Sequence, residues 1–122
     1  MNIDLPLDGR ERTVLREASR TLYGNMHVME TLLVIGRSDR DLFYQAGLAN
    51  DLGCKANQAG AVIEKLLQLG VAERVPREEG QARGYCRRLP SALWSSVIPF
   101  AIEVLQQRTA DVAKLADHRP AP

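Results

Sequence analysis

The stretch Leu48-Ala49-Asn50-Asp51-Leu52-Gly53, with the apolar-periodic run that follows it to Leu69-Gly70, constrains this chain more than any other feature. Gln45 to Leu52 carries Leu48, Ala49 and Leu52 at helical spacing and stops at a glycine, which can take the left-handed conformation that ends a helix. A second helix is predicted from about Ala56 to Leu69, with Ala59, Val62 or Ile63, Leu66 and Leu69 inward and Gly70 as its stop. The first helix should pack on Ala59, Ile63 and Leu66, and the small Ala49 and Ala59 let the two axes approach closely. Two short helices joined by a tight glycine-containing turn form a helix-turn-helix unit.

The flanking sequence builds around that unit. Arg10 to Leu22 reads as a helix with Asp8 as its N-cap, and Met26 to Ile35 as another, followed by a polar loop over 37–41. Leu42-Phe43-Tyr44 is either a very short strand or the apolar entry to the next helix. Val71 to Pro76 and Tyr85 to Leu89 are strand-like and enclose the charged, glycine-punctuated Arg77 to Gly84, which makes a β-hairpin. A C-terminal helix starts near Ser91 and runs toward Leu115; Pro99 lacks an amide donor, so a kink or break into two segments is expected there. His118 to Pro122 should fray. At 122 residues the whole chain, 1–122, is expected to be one domain, mainly α with a small β-hairpin.

Composition excludes several classes. With 45% apolar and 25% charged residues the chain can bury a core and does not read as disordered. Its longest apolar runs are interrupted by Glu30 and Glu103, so no membrane span is expected, and without a visible secretory signal a cytoplasmic location is the default. Cys54 and Cys86 lie far apart with no Cys or His at metal-ligand spacing, and are expected to be incidental or buried thiols. The histidines, His27 and His118, have no recognisable nucleophile or acid-base set around them, so catalysis is not expected. A formal net charge of +1 gives no global pull on a polyanion, and any nucleic-acid binding must come from a local arrangement of charge.

The pattern Leu48-Ala49-x-x-Leu52-Gly53, then Leu66, then Gly70-Val71-x-x-Arg74 and a charged hairpin resembles the winged helix-turn-helix regulators of the broad MarR, ArsR and PadR kind. The resemblance covers about Met26 to Leu93, so 26–93 would be the winged core, with 10–22 and 91–116 as flanking helices. It implies double-stranded DNA as the partner. Lys55, Asn57, Gln58 and Ala61 fall where such proteins read the major groove, with Lys65 further along the same helix; Asn and Gln can each make paired bonds to an adenine edge. The recognition helix is lean, with Gly60, Ala61 and Val62 in its middle. Arg74, Arg77, Arg83, Arg87 and Arg88 flank or occupy the hairpin, where a guanidinium can hold a phosphate or enter a minor groove, while Glu78 and Glu79 weaken the field.

The terminal helices carry more apolar surface than such a unit needs. Leu15, Leu22, Trp94, Ile98, Phe100, Val104, Leu105 and Val112 are therefore expected to form a homodimer interface, as two half-site recognition requires. The resemblance also allows a small-molecule effector between the terminal helices and the DNA-binding part, with Tyr23, Phe43, Tyr44, Trp94 and Phe100 as candidate lining. ArsR-type metal ligands are absent from the sequence pattern. The competing reading is a winged domain that docks on another protein with reduced or no DNA binding.

Overall fold

In a computed structural model, which describes residues 3–81 and 83–117 and the side chains as far as 107, the chain runs α1 (Gly9–Tyr23), α2 (Val28–Arg37), β1 (Leu42–Phe43), α3 (Gln45–Leu52), α4 (Ala56–Leu69), β2 (Ala72–Arg74), β3 (Cys86–Arg88) and α5 (Ala92–Asp117). Asp8 caps α1 as expected: its carboxylate accepts from the Glu11 N–H at 2.8 Å, and Glu11 returns the favour to the Asp8 N–H at 3.1 Å. Gly24, Gly53 and Gly70 end α1, α3 and α4 with positive φ.

The second helix begins two residues later than its sequence pattern suggests. Ser19 donates to the Asn25 carbonyl at 2.6 Å and accepts from the Met29 N–H at 3.1 Å, while Asn25 Oδ1 accepts from His27 N–H at 2.8 Å. Residues 25–27 are thus wound around a buried serine hydroxyl instead of forming a first helical turn. α2 then runs to Arg37, and its Gly36 faces the start of α5, where a Cβ would come within 3.0 Å of the Trp94 carbonyl oxygen.

The hairpin is part of a three-stranded antiparallel sheet of order β1-β3-β2. Leu42-Phe43 is a strand, pairing Leu42 with Arg87 and Phe43 with Cys86, and β2 pairs Ala72, Glu73 and Arg74 with Arg88, Arg87 and Cys86. The expected break at Pro99 does not occur: α5 is one helix from Ala92 to Asp117. Ser95 and Pro99 are both exposed, so the carbonyl that loses its donor lies on the water side of the helix, where solvent can satisfy it.

The core joins Leu15 of α1, Met29, Leu32 and Leu33 of α2, Leu48 and Leu52 of α3, Val62, Ile63 and Leu66 of α4, and Trp94, Val97 and Ala101 of α5. Ile3, ahead of α1, is buried in it as well. Glu30 is only 2% exposed, yet it carries two guanidinium partners from α1, Arg12 at 2.8 Å and Arg16 at 3.2 Å. Those arginines continue to the end of α3, Arg16 reaching the Leu52 carbonyl at 2.6 Å and Arg12 the Asp51 carbonyl at 3.4 Å. One buried carboxylate therefore ties three helices together. Among the described residues, no helix is long and apolar enough to cross a membrane.

Candidate nucleic-acid interface

Burying Ala59, Val62, Ile63 and Leu66 against α3 turns the opposite side of α4 to solvent. Lys55, Asn57, Gln58, Ala61 and Lys65 are all exposed, as are Glu64 and Gln68. Val62 and Ile63, offered as alternatives for the inward position, are both buried, whereas Leu69, expected inward, is 71% exposed at the end of the helix. Gly60 lies under the side chain of Gln45: a Cβ there would be 2.6 Å from Nε2, which donates to the Ala56 carbonyl at 2.7 Å. The glycine in the middle of the helix thus admits a link from α3 to the first turn of α4.

Gln58 has a different job from the one expected. Its side-chain carbonyl accepts from the Lys55 N–H at 3.0 Å, while its own backbone N–H donates to the Lys55 carbonyl at 3.0 Å. Lysine at the N-cap has no acceptor on its side chain, so Gln58 closes the helix start by reaching back. This leaves its NH2 group, and not a two-pronged amide, to face outward. Asn57 is exposed and lines a groove of about 300 Å³ together with Glu64 of α4, Arg74 of β2 and Gly84 of the wing. The start of α4 and the wing are therefore walls of one groove.

The wing arginines divide by partner. Arg74 bonds Glu64 of α4 at 2.5 Å, and Arg87 bonds Glu73 across the β2-β3 ladder at 3.3 Å. Both pairs are solvent-exposed, where such contacts are worth about 0–1 kcal/mol and can be exchanged for another anion. Arg88 is structural: it donates to the carbonyls of Ile35 at 2.6 Å and of Gly36 and Ser38 at 3.2 Å, and pairs with Asp41 at 3.0 Å, closing the end of α2. Arg77 is exposed and lies beside Gly84, and exposed Arg83 places its guanidinium carbon 4.6 Å from the centre of the Tyr44 ring.

The terminal helices yield less free apolar surface than the sequence suggested. Leu15, Trp94 and Leu105 are buried within the chain and offer nothing to a partner, Trp94 also donating from Nε1 to the Leu89 carbonyl at 2.8 Å. Leu22 is 57% exposed, Ile98, Phe100 and Val104 are half-buried, and Val112 lies outside the described side chains. The aromatic candidates for an effector site do not converge: Phe43 and Tyr44 line a cavity with Tyr85, whereas Trp94 is core and Tyr23 is exposed at the end of α1. Both thiols are free, and burial pushes Cys54 and Cys86 above the usual thiol range, which makes them poor nucleophiles.

Sequence reasoning missed Glu64, Gln45 and the capping role of Arg88. Each acts on a partner from another element, as in Glu64 with Arg74 and Arg88 with Ile35, and leaves no local periodicity to read.

No protein-family model matches the chain, and no curated protein matches it either. Solved structures do. A transcriptional regulator of the MarR family from Silicibacter pomeroyi superposes with a TM-score of 0.59 at 18% identity, over 89% of this chain and 80% of that one. The Mycobacterium tuberculosis MarR family protein Rv2887, solved with salicylic acid, gives a TM-score of 0.49 at 22% identity, over 89% and 79%. The first of these likenesses identifies the winged helix-turn-helix fold.

Proposed function

We propose that this chain is a cytoplasmic regulator of transcription that binds double-stranded DNA as a homodimer. The observation that carries the reading is the shared groove: Asn57 at the start of α4 and Gly84 of the wing face one concavity, next to exposed Lys55 and the wing arginines. A helix start and a wing that open onto the same side can engage a major groove and the adjoining backbone together. Within this reading Asn57 is the base reader, Lys55, Lys65, Arg77 and Arg83 hold phosphates, and Arg74 and Arg87 exchange carboxylates for phosphates. The function is binding, not catalysis. The dimer is assigned to Leu22, Ile98, Phe100 and Val104, the expected interface residues that keep exposed surface.

A second reading has its own support. Arg74 and Arg87 are already neutralised by Glu64 and Glu73, and Arg88 is taken up inside the fold, as a winged domain that docks on protein could afford.

Selection of genomic fragments on the full chain, followed by titration at several salt concentrations, separates the two. Enrichment of an inverted repeat, with affinity that falls steeply as salt rises, supports the DNA reading. Asn57→Ala should then relax sequence preference, and Arg83→Ala should weaken all sequences alike and reduce the salt slope by about one unit. No duplex binding at low salt would overturn it in favour of the docking module.

A further inference from the structure

Between the end of α2, the β1-α3 junction and the wing lies an open cavity of about 790 Å³. This falls inside the roughly 300–1,000 Å³ of typical small-ligand sites. Val34, Ile35 and Leu48 supply apolar lining, and Tyr44 and Tyr85 meet edge to face with ring centres 5.5 Å apart. The Tyr44 ring lies against α3 because residue 47 is glycine; a Cβ there would come within 2.7 Å of it.

This aromatic corner already holds a cation of the chain's own. The Arg83 guanidinium sits 4.6 Å from the Tyr44 ring centre, within the range at which a planar cation is attracted to the ring face. Arg83 is exposed and forms no ion pair among the described residues, where the Tyr44 ring is the partner of its guanidinium. Two carboxylates line the same cavity. Asp41 is engaged by Arg88, whereas Asp51 is exposed and has no side-chain partner among the described residues.

We propose that the cavity is a binding site for a planar organic cation, an amidinium or guanidinium on an apolar body. The ligand takes the place of Arg83 on the Tyr44 ring, with Asp51 as its counter-charge and the apolar lining against its body. An anion of the same shape would meet the negative face of Tyr44 and the Asp51 carboxylate, with Arg40 and Arg83 as its attractions in the cavity. The proposal concerns the free protein and stands whether or not the chain binds DNA.

Calorimetric titration of the full chain with benzamidine tests it, with benzamide and benzoate as the neutral and anionic compounds of the same shape. Benzamidine should saturate one site per chain and bind at least about tenfold more tightly than either control. Tyr44→Leu and Asp51→Asn should each weaken it, the first by about tenfold, whereas Arg83→Ala should tighten it by about threefold because the internal competitor is gone. Misfolding cannot mimic a gain in affinity, and thermal melts check the two variants expected to lose it. Absence of benzamidine binding, equal binding of the three compounds, preference for benzoate, or an Arg83→Ala variant with unchanged affinity overturns the proposal.

Discussion

Glu30→Gln is the substitution from which most can be learned. It keeps the shape of a side chain that is 2% exposed but replaces a carboxylate oxygen with an NH2 group, which turns one of two arginine contacts into a meeting of donors. Charge-assisted hydrogen bonds are worth about 1.5–3 kcal/mol each, and breaking a buried ion pair costs about 3–5 kcal/mol. Arg12 and Arg16 keep 26% and 20% side-chain exposure and can turn partly to water, so the expected cost falls near the lower bound, about 3 kcal/mol. With a urea m-value of about 1.5 kcal/mol/M, the unfolding midpoint should drop by about 2 M. The loss should also have a location. Because the arginines carry the contact on to the Asp51 and Leu52 carbonyls, amide exchange at Gly53 and Cys54 should accelerate more than exchange across the β2-β3 ladder. A midpoint shift under about 0.3 M, or an α3-α4 turn whose exchange is unmoved, would refute the idea that this carboxylate ties α1 and α2 to the helix-turn-helix.

Two glycines should respond differently to alanine. Gly60→Ala gains about 1 kcal/mol of helix propensity and displaces only the flexible end of Gln45, losing one exposed hydrogen bond, so denaturant unfolding should show a net change within about 0.5 kcal/mol. Gly36→Ala presses on the backbone carbonyl of Trp94 and should destabilise by about 1 kcal/mol despite the same propensity gain; a stabilised Gly36→Ala would show that α2 and α5 are not in close contact. His27 is buried with both ring nitrogens lacking a hydrogen-bond partner among the described residues, and burial, then the positive charge of Arg16, lowers its pKa below 6.5, with Glu30 opposing. The folded state therefore resists protonation more than the unfolded chain, so stability is full above about pH 6.5 and declines as pH falls below it. His27→Leu should remove that part of the decline in unfolding curves between about pH 7 and 5; parallel pH profiles for the two proteins would count against it.

How much of this was legible depends on the range of the interaction. The α3-α4 unit could be read because its determinants are local: apolar residues at helical spacing and glycines at Gly53 and Gly70 whose positive φ ends each helix. A two-residue strand has no alternation to detect, so β1 became certain only through its pairing with β3. The break expected at Pro99 is absent because the carbonyl left without a donor lies on the exposed side of α5, where water can take the donor's place. Glu30 looked like an interruption in an apolar run, since its partners lie 14 and 18 residues away. The recognition-helix residues, which the resemblance assigned to the outer side of the helix, are exposed. What they are occupied with, as Gln58 shows, depended on the N-cap being a lysine.

The tie between Arg74 and Glu64 bears on how fast this surface meets a partner. A polyanion approaching from a distance sees a chain with net charge +1 in which two of the wing cations carry their counter-charges with them, Glu64 for Arg74 and Glu73 for Arg87. Long-range steering needs uncompensated field, and at these two arginines the charges separate only on contact, when one anion displaces another. The two pairs therefore add little to the rate of encounter, and what they contribute to discrimination lies in how long a partner stays.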